Sequence, residues 1–323
     1  MASPRAPIES YVAVVAAPTL GPDTYVNERP LAEQDGRGSV FGGLLLAQAI
    51  SAASAAVDPD FYAYTSSSSF LRPVAGTKQV QYQVERVSDG RSYATRIVRA
   101  SGVGKTADTE VATADIILYI AAISFQRRGD SSPAGRSVQY AELPPDLEGL
   151  TPEDIDPGNG KEQVENNRTG NLQPFKPEDA PFDWLTAGVE FGDRPSDVRT
   201  TGFSRSSAPL SSSSSSSPST TATNLAALAY MSDEMLLGLP ILANPDAVGP
   251  RSRNVALAVS LNHHLWFHDP TVRVDRWMVG ERRTSAGADG RVLIHQRVWD
   301  HATGRLVMTC TQEALIRLKG PSL

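Results

Sequence analysis

The chain has 323 residues, 40% of them apolar, which is enough for one large domain or two ordinary ones, each with its own core. Its net charge is −6 and acidic and basic residues are mixed along its length, which argues against a nucleic-acid partner. A single cysteine, Cys310, excludes a disulfide framework and a cysteine-rich zinc site, and fits a reducing compartment.

The first residues, MASPRAPIES, carry Pro4 and Pro7 where a secretory leader would begin its apolar run. VFGGLLLAQAISAASAAV (40–57) is apolar or small on nearly every side, which predicts a helix enclosed by other structure. SSFLRPV (68–74) leads into QVQYQVERV (79–87), which alternates apolar and polar residues with period two, then the turn SDGR (88–91), strand-like SYATRIVRA and ISFQ at 123–126. Asp-Gly between such runs is a hairpin signal, so these are antiparallel strands. SGVGKT (101–106) has the end of a phosphate-binding loop, but Arg99 stands where the first glycine is required, so it reads as an insertion between strands. The longest apolar run, IILYIAAISF (116–125), is about half of what a membrane span needs.

Residues 129–181 are rich in Pro, Asp, Glu, Gly and Asn and read as a connector, with a short helix around 162–166. The segment 203–221, with seven consecutive serines at 211–217, is predicted to be disordered. TNLAALAYMSDEMLLGLP (223–240) predicts a second helix, with Leu225, Leu228, Met235, Leu236 and Leu239 on one stripe, Thr223 or Asn224 as N-cap, and Pro240 at its end.

LWFHDPTV (265–272), RVDRWMVGE, the turn ADGR (288–291), VLIHQRVW and CTQE (310–313) then repeat the order of the first half. Phe70 to Pro73 maps onto Phe267 to Pro270 at an offset of 197, and the two Asp-Gly-Arg turns at 200. Arg91 to Gln126 is 35 residues and Arg291 to Gln312 is 21, which leaves about 14 extra residues in the first copy, near 101–116. A repeat of this kind predicts one helix wrapped by one antiparallel sheet, made twice: an N-terminal unit at 25–128 and a C-terminal unit at 182–320.

SLNHHLWFHDP (260–270) holds three histidines. His264 and His268 would face one zinc on a helix, but the stretch alternates and precedes a proline. On a strand the two lie about 13 Å apart, so no metal is expected. No Gly-x-Ser-x-Gly elbow occurs, and Cys310 reads as a small buried side chain rather than a nucleophile.

FGGLLLAQAI, SFLRP, DGRSY, ISFQ, AYMSDEMLL, SLNHHLWFH, RTSAGADGR and TQEALIR together resemble the acyl-CoA thioesterase II family. The resemblance covers most of the chain outside the connector, the serine tract and the 101–116 insertion. It implies an α+β double hotdog, two helix-wrapping sheets fused as a pseudo-dimer, that hydrolyses an acyl-CoA substrate to free acid and CoA with no cofactor. In that family an aspartate, a threonine and a glutamine hold and activate one water. The resemblance places the threonine on Thr284 and the glutamine on Gln312, while the aspartate position is Asn262. A carboxamide can orient water but has no useful basicity, so hydrolysis should be slowed by about 10²–10⁴-fold unless another base, Asp269 or His264, has moved in. Gly42 and Gly43 at the start of the first helix are expected to bind the thioester carbonyl through backbone N–H groups, with close helix packing as the competing explanation. Thr65 occupies the repeat position of Asn262, which makes the first-half site silent. Arg72, Arg91, Arg282 and Arg283 are candidate partners for CoA phosphates. The rival functions are a weakly catalytic protein that binds an acyl thioester or acyl product, or serves as an assembly partner, and a hydratase or acyltransferase on the same scaffold; a homo-oligomer is compatible with each. Fatty-acid, other lipid or secondary metabolism in the cytoplasm is expected, and the C-terminal GPSL lacks the lysine of a peroxisomal signal.

Overall fold

The computed structural model describes residues 5–31, 40–74, 79–103, 116–129, 138, 140–155, 180–211 and 218–320. The helix expected near 162–166, most of the 101–116 insertion and residues 212–217 of the serine tract lie outside them.

The first half holds helices α1 (Pro7–Tyr11) and α2 (Gly42–Ala55) and strands β1 (Val14–Ala16), β2 (Thr24–Asn27), β3 (Phe61–Phe70), β4 (Val80–Asp89), β5 (Tyr93–Gly102) and β6 (Ile117–Arg127). The second holds β7 (Phe182–Glu190), β8 (Arg199–Ser206), α3 (Pro218–Asp233), α4 (Gly238–Leu242), β9 (Val255–Phe267), β10 (Met278–Ala288), β11 (Arg291–Asp300) and β12 (Leu306–Leu318). The predicted alternation survives in three dimensions: Val80, Tyr82 and Val84 of β4 are buried, while Gln83 and Glu85 face out. Asp289 and Gly290 both have positive φ, 53° and 76°, the geometry that lets a two-residue turn join β10 to β11.

The two sheets meet edge to edge. β3 pairs antiparallel with β9 from Thr65↔Trp266 to Ser69↔Asn262, and this seam joins the halves into one 12-stranded sheet in the order β1-β2-β4-β5-β6-β3-β9-β12-β11-β10-β8-β7. Its inner face is covered by α2 and α3, which also pack on each other: the Phe41 and Tyr230 rings meet edge to face with centroids 5.0 Å apart. Leu44, Leu45, Leu46 and Ile50 of α2 are almost fully enclosed, and burying each such side chain contributes about 1.5–3 kcal/mol. Thr220–Leu242 is long and apolar enough to cross a membrane by composition, but 72% of its most apolar stretch is buried inside the protein, where it serves as core.

The disorder expected for 203–221 is corrected at both ends. Phe203–Ser206 completes β8, and α3 begins at Pro218, five residues before the expected N-cap. Proline suits a first helical position, and Thr220 and Thr221 are buried rather than solvated. Asn224 therefore lies inside the helix, where Nδ2 donates to Thr220 O (2.9 Å) and Oδ1 accepts from Val274 N (2.9 Å). The helix also stops early: Met235 takes φ 55° and is 40% exposed, so it leaves the expected stripe. Pro240 falls in the first turn of α4, where its missing N–H is no loss.

Candidate active site

The inner face carries a polar chain running from the sheet to both helices. Directly paired strand residues share a face, and Gln312 pairs with His263. Both are fully buried, and Gln312 Oε1 meets His263 Nδ1 in a short hydrogen bond. Gln312 Nε2 donates to Ser260 Oγ (2.8 Å), and Ser260 Oγ donates to Asp233 Oδ1 (3.2 Å) at the end of α3. On its other side, His263 Nε2 lies 2.9 Å from Ser232 Oγ and 3.3 Å from Cys310 Sγ. Burial holds the imidazole below its ordinary pKa and pushes the Cys310 thiol well above its own, so both are neutral. A neutral ring that donates from Nδ1 to Gln312 fixes the amide, so that its N–H₂ points to Ser260.

Asp233 is 6% exposed and sits against the first turn of α2. A Cβ placed on Gly42 would lie 2.7 Å from Asp233 Oδ2 and 3.0 Å from the Phe70 ring, so only glycine lets the carboxylate approach there. The first amides of a helix have no intrahelical acceptor and carry partial positive charge, which suits an anion. Gly43 answers to packing instead: its Cβ would stand 2.6 Å from Tyr230 O of α3. Gly42, Phe70 and Ser260 are only partly buried, so the site meets solvent at these residues.

The sequence points to Asn262, Thr284 and Gln312 around one water, and the structure separates them. Asn262 faces the outer side of the sheet, where Oδ1 accepts from Ser69 Oγ (2.8 Å) and Nδ2 donates to Glu313 Oε2 (2.9 Å). Asn262 follows the strand's alternation, next to inward, buried Phe267, Leu265 and His263, while a bulge beyond it, where Glu313 pairs with Asn262 but Ala314 pairs with Ser260, makes Leu261 the extra residue and turns Ser260 inward. Thr284 is on the inner face but two strands from Gln312, with buried Ile294 between them. That is about 10 Å at ordinary strand spacing, and its hydroxyl is given to Leu293 O (3.0 Å).

Neither substitute base reaches the site. Asp269 closes a turn by accepting from Thr271 N (2.8 Å), and His264 stacks on Trp266 on the outer face. That face also carries a shallow depression between Ser67, Ile97, Ile120 and His264, away from the polar chain. Arg282 is withdrawn from any role with CoA: it lies over the Trp184 ring at 4.6 Å. Gln296, oriented to satisfy its neighbours, accepts from Arg282 Nε and Nη2 (3.1 Å each) and donates to Ser232 O (3.0 Å). Beside it Glu234, which accepts from Trp184 Nε1 (2.9 Å), is pushed up to about 7 by desolvation, and Arg282 is brought down to about 10 by the same cause. Thr65, in the first half, gives its hydroxyl to Leu265 O (2.8 Å). No cluster of three metal-ligating side chains occurs among the described residues.

Asp233 lies in AYMSDEMLL, but a carboxylate on a helix shows no strand motif. Only the approach of Gly42 and Ser260 marks it.

Residues 152–316 match the family described as acyl-CoA thioesterase C-terminal domain, and residues 32–119 match the acyl-CoA thioesterase N-terminal domain. The chain is 27% identical over 328 aligned positions to acyl-coenzyme A thioesterase 8 of Homo sapiens, covering 92% of this chain and 88% of that protein. It is also 27% identical to the Mus musculus protein of the same name, with 87% and 81% covered. Among solved structures, the acyl-CoA thioesterase II TesB2 of Mycobacterium marinum superposes with a TM-score of 0.68 at 22% identity, covering 98% of this chain and 100% of that one. A tesB protein of Mycobacterium avium subs. paratuberculosis gives 0.67 at 20% identity, with 96% and 98% covered. These two likenesses bear on the fold.

Proposed function

The chain belongs to the acyl-CoA thioesterase family, and from that premise we propose that it hydrolyses an acyl-CoA, fatty or specialised, at the Asp233 site rather than around Asn262. The observation that carries this reading is the Asp233 carboxylate, held at the amino end of α2 by the Ser260–Gln312–His263 chain.

An ionised carboxylate beside a glycine helix start can take a proton from water as the water oxygen bonds to the thioester carbon. The carbonyl oxygen gains charge and is met by the Gly42 and Gly43 amides. When the C–S bond breaks, the proton held by Asp233 passes to the departing CoA sulfur, so atoms and charges balance. Gln312 acts through Ser260, as a positioning residue. Cys310 takes no part, since a buried neutral thiol is a poor nucleophile.

The test is release of free CoA from acyl-CoAs of graded length, read by thiol detection, for the wild type and Asp233→Asn. Hydrolysis by the wild type, with kcat down about 10²–10⁴-fold in the variant, supports the reading. No release at any chain length would favour a binding protein, and an unimpaired variant would remove Asp233 from the chemistry.

A further inference from the structure

Tyr119 of β6 is completely buried on the inner face, and its hydroxyl has no hydrogen-bond partner among the described residues. Ser68 is close enough to act on the phenol, but its own proton goes to His263 O (3.0 Å) and the two hydroxyls do not meet in hydrogen-bond geometry. A buried hydroxyl left unpaired destabilises the folded chain, so an orphan of this kind asks for a reason. Its position supplies one. The Tyr119 ring packs on Phe70 with centroids 5.3 Å apart. Phe70 in turn touches the place where a Gly42 side chain would stand, 3.0 Å away, next to Asp233. Tyr119 therefore packs one ring away from the space shared by the helix start and the carboxylate, near enough for the Asp233 charge to act on its phenol.

We propose that Tyr119 is a further catalytic residue, whose hydroxyl donates a hydrogen bond to the thioester carbonyl oxygen as Asp233 activates the water. This rests on the hydrolytic reading above. Burial, helped by the Asp233 charge, outweighs the opposing pull of the Ser68 hydroxyl and holds the phenol above its ordinary pKa, so it keeps a proton to donate. A donor that is unpaired in the free protein and paired in the transition state stabilises the second relative to the first.

Tyr119→Phe removes the hydroxyl and keeps the ring. Because no bond is lost from the free protein, its Tm should equal or exceed the wild type's, while kcat falls about 10²-fold. A tyrosine that only fills space would give wild-type kcat, and that result would overturn the proposal while leaving Asp233 untouched. Two non-hydrolysable probes read the contact without turnover: an acyl-CoA ketone in which CH₂ replaces sulfur, and an alkyl-CoA thioether, which lacks the carbonyl. The variant should bind the ketone about 10-fold more weakly and the thioether equally well. Equal binding of both probes would overturn the proposal even if the wild type hydrolysed nothing, whereas a selective loss of ketone affinity in a protein without turnover would sink the hydrolytic reading alone.

Discussion

Ser260 on β9 donates through Oγ to Asp233 Oδ1 on α3, 3.2 Å away, and accepts from Gln312 Nε2 at 2.8 Å. One hydroxyl thus ties the helix carboxylate to the sheet. Ser260→Ala removes the carboxylate's side-chain donor and leaves the buried Gln312 amide without an acceptor, a loss of about 1–3 kcal/mol. Steady-state kinetics should show kcat reduced about 5- to 150-fold with KM nearly unchanged, and Ser260→Thr, which restores the hydroxyl, should recover most of it. Wild-type turnover in the alanine variant would detach Ser260 from the site.

Asn262 supplies a sharper contrast. If its amide replaced the catalytic acid, Asn262→Asp would raise hydrolysis steeply. Its Nδ2 instead donates to the Glu313 carboxylate at 2.9 Å on the outer face, so an aspartate there would set two like charges against each other. The expected outcome is turnover within about twofold of wild type and a stability loss of about 0.5–1 kcal/mol, eased by salt. Denaturant titration and CoA release measure the two effects. A gain of tenfold or more in kcat would place residue 262 back at the chemistry.

The inward turn of Ser260 was illegible because the bulge at Leu261 breaks the period-two count that carries Phe267, Leu265 and His263 inward and Asn262 outward. Where no bulge intervenes, in Val80–Val84 or across the Asp289–Gly290 turn, local pattern and final structure agree. The start of α3 was illegible for another reason. Its first turn, Pro218 to Thr221, has the composition of a solvated linker, and it is helical because the fold encloses Thr220 and Thr221. The fold was thus readable from repeats and turns. Of the proposed site, Gln312 and the glycine pair lie in stretches that the sequence marks, while Asp233 and Tyr119 stand out only through neighbours far away in sequence.

The two glycines at the head of α2 should respond differently to alanine. At Gly43 the new methyl would meet Tyr230 O at 2.6 Å and the Phe41 ring as well, so α2 and α3 must separate. Gly43→Ala should lower stability by about 1–3 kcal/mol, seen as a fall in Tm. At Gly42 the methyl would strike Asp233 Oδ2 at 2.7 Å, the end of a side chain that can swing aside. Gly42→Ala should therefore keep more of its Tm and lose more of its kcat. The reverse ranking would assign the carboxylate's approach to Gly42 no catalytic importance.

Glu234, next to Asp233, makes a pH prediction of its own. Its folded pKa is raised to about 7 from 4.5 because burial disfavours the charged form more than Trp184 and Arg282 favour it. Between those two values the folded chain holds a proton that the unfolded chain has released, so stability falls as pH rises through this window. The full effect is on the order of 3 kcal/mol at about 1.4 kcal/mol per unit. Glu234→Gln cannot titrate, so the wild-type-minus-variant stability difference should decline from pH 4.5 to 7 and then level off. Ionisation above pH 7 leaves a pair with Arg282, which the variant lacks, so the variant is expected to be the less stable protein only if that pairing outweighs the remaining desolvation. The slope of the difference does not depend on that balance, and thermal unfolding across pH 4.5–8 reads it directly. A flat difference would show that Glu234 titrates as an ordinary surface carboxylate, and a rising one would mean that Arg282 and Trp184 overcome the burial.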